Sequence, residues 1–148
     1  MQFPITALLS PPESASWLEA HMHPGGLHCP DCGLPKSHAR VFRYSKRGLP
    51  DYRCLSCERV YNLYSETVFA GGNLSPAKAV LLLRGICKGE SSLALANELK
   101  LSRTTVHIYR QKIQKNAHEL LDNSALADEQ TETDEMFQNA GEKRSGAS

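Results

Sequence analysis

Residues 29–57 read CPDCGLPKSHARVFRYSKRGLPDYRCLSC, a stretch that opens and closes on a Cys-x-x-Cys pair. Cys29 and Cys32 form the first pair, Cys54 and Cys57 form the second, and 21 residues separate them. Four thiolates at this spacing are typical of a closed tetrahedral zinc site, in which protein atoms leave no position for a catalytic water. The alternative, a redox dithiol, normally accompanies a βαβ pattern that this sequence lacks. The spacing therefore predicts structural Zn²⁺ bound by these four cysteines.

The residues around the cysteines predict a zinc ribbon over 27–69. Alternating apolar and polar residues favour short antiparallel strands, which are expected at 40–44, 51–54 and 60–64, with a turn at 45–48. About forty residues bury too little apolar surface to fold unaided, so metal binding must supply much of the folding free energy. Nearby histidines are expected to be surface residues because the cysteines complete the ligand set. They are His21, His23 and His28.

Three helices are predicted over 73–121, in the order of a helix-turn-helix unit. Serine N-caps and a proline at a first helical position mark the starts, and Gly89 marks the first end. The predicted helices are 77–88 behind Ser75 and Pro76, about Ser91 or Ser92 to Lys100, and Arg103 to about Leu121 behind Ser102. Lys100 is expected in the left-handed turn position that glycine often holds, and Cys87 is expected to be buried. The expected inner residues are Leu95, Ala96, Leu99, Leu101, Val106, Tyr109 and Ile113.

The two ends of the chain are predicted to differ from this middle part. Residues 1–26 form a leader with a short helix capped by Ser14, in which Pro11 and Pro12 block extension upstream. Trp17 of this helix is expected to pack against the zinc ribbon. Residues 122–148 form a linker and a mostly unstructured acidic tail. The predicted fold class is therefore small α+β: a zinc ribbon, a three-helix unit and a tail.

Charge is segregated along the chain, although the net charge is only +1. Residues 36–115 contain 15 Lys and Arg against five Asp and Glu, whereas residues 119–148 contain two against eight. A basic stretch of this kind favours a polyanionic partner such as nucleic acid. A basic surface that is merely solvated is the alternative.

The exposed side of the third predicted helix carries the candidate DNA contacts. On a helical wheel, polar and basic residues lie opposite the inner positions Val106 and Ile113. Such side chains hydrogen-bond base edges and phosphates when a recognition helix enters the major groove. The candidates are Arg103, Thr104, His107, Arg110, Gln111, Lys112 and Lys115. A plain structural bundle of three helices is the alternative.

Hydropathy and cysteine usage bear on where the protein acts. The sequence has no apolar run of 18 residues, so no membrane partner is expected. Its first residues lack the basic and apolar regions of a secretory signal, so cytoplasmic localisation is predicted. In that compartment paired Cys-x-x-Cys motifs bind metal rather than form disulfides.

Four features in order resemble the N-terminal part of bacterial insertion-sequence transposases. They are Phe-Pro-Ile-Thr at 3–6, a ribbon running from Tyr-Arg-Cys at 52–54 to Thr-Val-Phe at 67–69, the helix-turn-helix, and Glu-Thr-Asp-Glu-Met-Phe at 132–137. Those enzymes join a zinc ribbon and a helix-turn-helix to a DDE-type, RNase H-like core. The resemblance implies that the first two modules bind double-stranded DNA at the terminal inverted repeats during DNA transposition. It also implies that residues 122–148 hold a linker and a remnant of the first strand of the catalytic core, with Asp134 matching the first metal-binding carboxylate of that core.

The resemblance runs to about Lys143, and a complete core would need on the order of a hundred further residues carrying the other metal ligands. We therefore expect a truncated transposase that binds DNA but is catalytically inactive as this chain, because Asp134 alone cannot form a two-metal site. Mg²⁺ is expected only in a full-length member, and self-association or association with an intact transposase is a further expected interaction. Two interpretations compete: a free-standing transcriptional regulator with the same two modules, and a protein-binding ribbon with no DNA role.

Overall fold

Residues 10–119 are the described part of the chain, and in a computed structural model they form a three-stranded sheet and four α-helices. The elements are α1 Pro11–Met22, a 3₁₀ turn Lys36–His38, β1 Ala39–Tyr44, β2 Pro50–Cys54, β3 Val60–Tyr61, α2 Pro76–Cys87, α3 Ser92–Leu99 and α4 Arg103–Glu119. The predicted α+β class is confirmed. The Phe-Pro-Ile-Thr motif, the acidic tail and Asp134 lie outside the described residues. None of the described helices is long and apolar enough to cross a membrane.

β1, β2 and β3 form one antiparallel sheet in that order. β1 and β2 lie close to the predicted strands because the turn between them closes as expected, with the Gly48 amide donating to the Ser45 carbonyl at 3.0 Å. β3 is shorter than the strand predicted at 60–64. Asn62 ends it, because its side-chain oxygen accepts the Tyr64 amide at 2.9 Å and turns the backbone.

A bulge interrupts β1 at Phe42. Val41 pairs with Tyr52 and Arg43 pairs with Asp51, so two steps along β1 match one step along β2. A bulge of this kind leaves the extra residue unpaired, increases the local twist and reorients its side chain. The strand pattern in the sequence predicts β1 but not this bulge.

Asp51 is the buried carboxylate of the sheet, with an exposed fraction of 4%. It accepts hydrogen bonds from Arg43 Nε and Asn62 Nδ2, both at 2.8 Å. Burial by itself raises the pKa of Asp51, but these hydrogen bonds and the charges of Arg43 and Arg47 outweigh it, so the net pKa is lowered. The ionised carboxylate therefore links β2 to β1 and to the end of β3.

Serine caps begin α2, α3 and α4, and the caps of α2 and α4 are the ones predicted. Ser75 Oγ accepts the Lys78 amide at 3.4 Å, Ser91 Oγ accepts the Ala94 amide at 3.1 Å, and Ser102 Oγ accepts the Thr105 amide at 3.0 Å. Lys100 joins α3 to α4 with φ 52° and ψ 52°, the left-handed conformation expected there. That conformation costs about 1 kcal/mol for a residue with a Cβ. The predicted order of three capped helices is confirmed.

α1 differs from the prediction at its start. It begins at Pro11 with Ser10 as N-cap, whose Oγ accepts the Glu13 amide at 3.4 Å. The prediction that Ser14 caps the helix is wrong, because Ser14 is buried and its hydroxyl donates to the Ser10 carbonyl at 3.0 Å. Pro11 and Pro12 begin the helix rather than block it, since amides in the first turn have no intrahelical acceptor to lose.

The helices share one hydrophobic core with the end of the sheet that lies farthest from the cysteines. We call it the helical core. Its buried residues are Leu18, Leu49, Leu63, Tyr64, Phe69, Leu74, Ala79, Val80, Leu82, Leu83, Leu95, Ala96, Leu99, Val106 and Tyr109. The predicted inner residues of α3 and α4 are thus buried, while Leu101 and Ile113 are half-buried against them. Because Leu49 belongs to the β1–β2 turn, the sheet is anchored directly in the helices.

Trp17 packs against the helical core, to which Leu49, Leu63, Tyr64 and Phe69 of the predicted ribbon belong together with the helices. One predicted placement is wrong. Cys87 is exposed rather than buried. It is the last residue of α2, and the chain turns at Lys88 and Gly89, so the helix ends before the thiol reaches the core.

A smaller group of buried residues surrounds the paired cysteines, and we call it the cysteine cluster. Its buried members are Leu27, Cys29, Cys54 and Tyr61, with Leu34, Ala39 and Tyr52 half-buried around them. Two of the four buried side chains are therefore potential metal ligands rather than packing groups. So small a cluster contributes little hydrophobic stabilisation at this end of the sheet.

Candidate metal centre and nucleic-acid interface

The four cysteines predicted as zinc ligands converge on one point. Their Sγ atoms all lie within 4.8 Å of one another, and the shortest separations are 3.4 Å for Cys29 to Cys57, 3.5 Å for Cys32 to Cys54 and 3.6 Å for Cys32 to Cys57. Zinc–sulfur bonds of about 2.3 Å in a tetrahedron place sulfurs about 3.8 Å apart. The four thiols can therefore hold a metal ion such as zinc.

Each Cys-x-x-Cys pair sits on the same kind of backbone turn. The Cys29 amide donates to the Leu34 carbonyl at 2.8 Å, and the Cys54 amide donates to the Arg59 carbonyl at 2.9 Å. The fourth residue after each first cysteine has a left-handed conformation, with φ 71° at Gly33 and φ 61° at Glu58. The two turns are therefore alike, but only the first has the glycine that this conformation favours.

The thiols differ in how readily they ionise. Amide hydrogen bonds from Cys57 and Ser56 lower the pKa of Cys54 to about 7. An amide hydrogen bond from Arg59 lowers the pKa of Cys57, but burial and the neighbouring sulfurs outweigh it and raise that pKa to about 12. Four thiols this close resist ionising together, because each thiolate repels the next. A divalent cation among them supplies the charge that makes all four thiolates favourable.

Tyr61 adds an independent observation from the wall of the site. Its ring is only 2% exposed, and its hydroxyl has no hydrogen-bond partner among residues 10–119. Burial raises the pKa of Tyr61, and the charges of Cys29, Cys54 and Cys32 raise it further, so the hydroxyl stays protonated. The charges of the cysteines thus act on this hydroxyl, but no sulfur in the described part of the chain accepts a hydrogen bond from it.

The nearby histidines interact elsewhere. His21 Nδ1 lies 2.8 Å from the Trp17 carbonyl, His23 Nε2 lies 2.9 Å from the Leu63 carbonyl, and His28 Nδ1 lies 2.7 Å from the Gly26 carbonyl. Within the described residues the four cysteines form the one group of three or more potential ligands that converge. The site is therefore a four-cysteine site, as predicted.

Six of the seven predicted DNA contacts are exposed on α4. They are Arg103, Thr104, His107, Gln111, Lys112 and Lys115. The Lys112 ammonium lies 5.8 Å from the Tyr109 ring, and Lys115 pairs with Glu119 at 3.8 Å on the solvent side. Exposed ion pairs of this kind contribute little stability, so both cations can exchange partners.

Arg110, the seventh, is placed differently. It is half-buried, its Nε donates to Ser92 Oγ at 3.1 Å, and a terminal guanidinium nitrogen donates to the Glu90 carbonyl. These bonds link α4 to the residues that begin α3. Arg110 therefore positions the two helices, and its sequence position next to Gln111 gives no sign of this role.

A second basic surface, which the sequence did not single out, lies on β1 and β2. It consists of Arg40, Phe42, Arg43 and Arg53, and we call it the arginine face. The Phe42 ring is 47% exposed, and the guanidinium carbons of Arg53 and Arg43 lie 5.3 Å and 5.7 Å from its centre. The Arg-Val-Phe-Arg pattern predicts the strand, but only the bulge puts Arg43 on the same side as Arg40 and Phe42.

The described residues contain one thiol cluster and two basic surfaces, α4 and the arginine face. Comparisons of the chain with family models, with curated proteins and with solved structures found no match.

Proposed function

We propose that this protein is a DNA-binding protein in which a zinc ribbon supports a helix-turn-helix, with α4 as the recognition helix. We further propose that it is the N-terminal, DNA-recognising portion of an insertion-sequence transposase, which binds terminal inverted repeats for DNA transposition. The observation that carries the DNA-binding proposal is the exposed outer face of α4. It is polar and basic, and it stands opposite a fully packed inner face.

The contacts between α3 and α4 support a helix-turn-helix. Residues 100–102 join the helices, and their inner faces bury Ala96 and Leu99 against Val106 and Tyr109. In this motif the first helix crosses the DNA backbone while the N-terminal part of the second reads base edges in the major groove. Since the inner face is committed to the core, the outer face of α4 is free for that purpose.

The side chains of α4 divide into two proposed roles. Thr104, His107 and Gln111 have the short, directional groups that read base edges. Arg103, Lys112 and Lys115 have long cationic chains suited to phosphates. α4 holds four Lys and Arg and a single carboxylate, Glu119 in its last turn, so the helix as a whole attracts a polyanion.

The metal has a structural part in this proposal. Cys29, Cys32, Cys54 and Cys57 would hold zinc, whose binding supplies folding free energy that the cysteine cluster cannot supply by packing. Four protein ligands leave no open position, so no catalytic role is proposed for this metal. The zinc ribbon would thus provide a stable base for the helices that read DNA.

The transposase part of the proposal rests on the sequence resemblance. Asp134 is proposed as the first carboxylate of a DDE-type core, with Mg²⁺ as the ion of a full-length member. DNA recognition is the part that residues 10–119 support. A free-standing regulator with the same modules would share this recognition surface and differ in its target.

The test is selection of a preferred duplex from a random library by the zinc-loaded chain, followed by affinity measurements on variants. Gln111→Ala should weaken binding to the selected duplex by about 1–3 kcal/mol, because one base-reading amide is lost. Asn116→Ala is the matched control, since it removes an exposed amide about 140° around the same helix. Equal affinities of Gln111→Ala and the parent chain would remove α4 as the reader.

The selected sequence then separates the two targets. Inverted repeats at the ends of a mobile element would support the transposase assignment. A promoter without such repeats would support the regulator instead. Failure to select any duplex would contradict DNA recognition itself.

A further inference from the structure

We propose that the arginine face binds single-stranded nucleic acid, with an unpaired base stacked on Phe42 and the surrounding guanidinium groups contacting its phosphates. This goes beyond the proposed function, which assigns reading of duplex DNA to α4. The two surfaces use different residues on different elements, so each proposal can fail without the other.

Strand register puts these side chains on one side of the sheet. Arg40 pairs with Arg53 and Arg43 pairs with Asp51, and residues paired across an antiparallel ladder point to the same face. Tyr52, which alternates with Asp51 and Arg53, points to the opposite face and packs in the cysteine cluster. The outward side is therefore the arginine face.

The bulge brings Arg43 onto the face that Phe42 shares with Arg40. Alternation along β1 puts Phe42 on the side of Arg40, two residues earlier, and without the extra residue it would put Arg43 on the opposite side. With the bulge, the Phe42 ring lies 5.7 Å from the Arg43 guanidinium carbon and 5.3 Å from that of Arg53. The result is a half-exposed ring flanked by two cations.

Charge on this part of the sheet favours a polyanion. Residues 39–54 contain five Lys and Arg and one carboxylate, Asp51. Asp51 is buried and already accepts hydrogen bonds from Arg43 and Asn62, so its negative charge is compensated and repels an incoming phosphate only weakly.

The aromatic ring decides between duplex and single-stranded nucleic acid. Arginines alone would serve the phosphates of either form. The faces of paired bases are covered by stacking in a duplex, so an exposed ring gains a partner only when a base is unpaired. Stacking of one base on one aromatic side chain typically changes affinity by about tenfold or more.

Residues of β1 beyond Ala39 are exposed, which makes the strand accessible along its length. Tyr44 is 72% exposed, but its pairing with Pro50 puts it on the side of Tyr52 rather than on the arginine face. Phe42 and Tyr44 therefore form a natural pair for an experiment. They are two exposed aromatic residues of one strand, on opposite sides.

The experiment measures fluorescence anisotropy of a labelled oligothymidine of about 12 nucleotides with the full zinc-loaded chain. Phe42→Leu should weaken binding by about tenfold or more, and Arg40→Gln should weaken it and reduce its salt dependence. Tyr44→Leu should leave the affinity unchanged. Zinc content and circular dichroism of each variant establish that the fold is intact, and leucine keeps an apolar side chain at both positions.

Several results would overturn the proposal. One is that the parent chain does not bind oligothymidine. Another is that Phe42→Leu and Tyr44→Leu lose the same amount of affinity for it. A third is that Gln111→Ala, and not Phe42→Leu, loses oligothymidine binding. If the chain self-associates through Phe42 and does not bind oligothymidine, the arginine face is a protein interface and the proposal is rejected. Affinity for the α4-selected duplex, measured on the same variants, reports separately on the proposed DNA reader.

Discussion

The cysteine cluster and the helical core stabilise the two ends of the sheet in different ways. The helical core buries fifteen residues from all four described helices, the β1–β2 turn and the segments between β3 and α2. The cysteine cluster buries four, two of them cysteines. A large apolar side chain contributes about 1.5–3 kcal/mol when fully buried. We therefore expect the helical core to fold by packing and the cysteine end of the sheet to depend on the proposed zinc.

The largest effect is expected from a variant that disrupts only the cysteine cluster. Cys54→Ser should abolish stoichiometric zinc binding and unfold the sheet around Leu27 and Tyr61, because removal of one ligand opens the site. The helices should persist, since their core includes neither residue. Elemental mass spectrometry would measure the loss of zinc, and amide hydrogen exchange would compare the protection of the cysteine end with that of the helices.

Cys87→Ser is the matched control for that variant. Its thiol is exposed at the end of α2, away from the ligand group, so zinc content and exchange protection should equal those of the parent chain. Native protection of the cysteine end in metal-free protein would contradict the metal dependence.

A smaller expected effect comes from the helical core. Leu82 is fully buried, and Leu82→Ala should reduce the free energy of unfolding by about 2–5 kcal/mol through the cavity it creates. Zinc should still bind with the same stoichiometry where the variant is folded. Chemical denaturation monitored by circular dichroism measures the loss.

Leu93→Ala provides the comparison on α3. Leu93 is 55% exposed, so its truncation should change the free energy of unfolding by no more than about 0.5 kcal/mol. Similar losses in the two leucine variants would show that packing does not dominate the helical half.

The smallest expected effect concerns the two cysteine turns. Glu58 has φ 61° where the first turn has Gly33, and a left-handed conformation costs a residue with a Cβ about 1 kcal/mol. Glu58→Gly should therefore stabilise the zinc-loaded protein by up to that amount, and Gly33→Ala should destabilise it similarly. Denaturation midpoints in excess zinc test both, and a destabilised Glu58→Gly would show that the Glu58 side chain matters more than its backbone strain.

The sequence predicted the local features well because their signals are local. Spacing identified the four cysteines, and serine caps with Gly89 set the starts and the first end of the C-terminal helices. The left-handed Lys100 followed from a turn position that allows few conformations. In each case neighbouring residues contain the information.

The predictions failed where distant residues decide the outcome. The start of α1 is the exception, because its signal is local: Ser10 caps the helix and Pro11 begins it. Cys87 lies at the spacing of the apolar residues of α2, but it is exposed because the helix ends at this residue. Arg110 stays a predicted and untested DNA contact, but the sequence did not predict its hydrogen bond to Ser92, 18 residues earlier. The bulge at Phe42 likewise depends on register between strands.

Leu49 is anchored in the helical core, where it is only 1% exposed. This anchoring restricts the geometry of any nucleic acid that binds both proposed surfaces. The hairpin that carries the arginine face and the helix that carries Gln111 meet through close-packed side chains, which do not slide past one another. A nucleic acid that contacts both surfaces must then offer its two segments at one separation. Inserting a single base pair between them rotates one segment by about 34° relative to the other. Spacing within the target would therefore be discriminated as well as its base sequence.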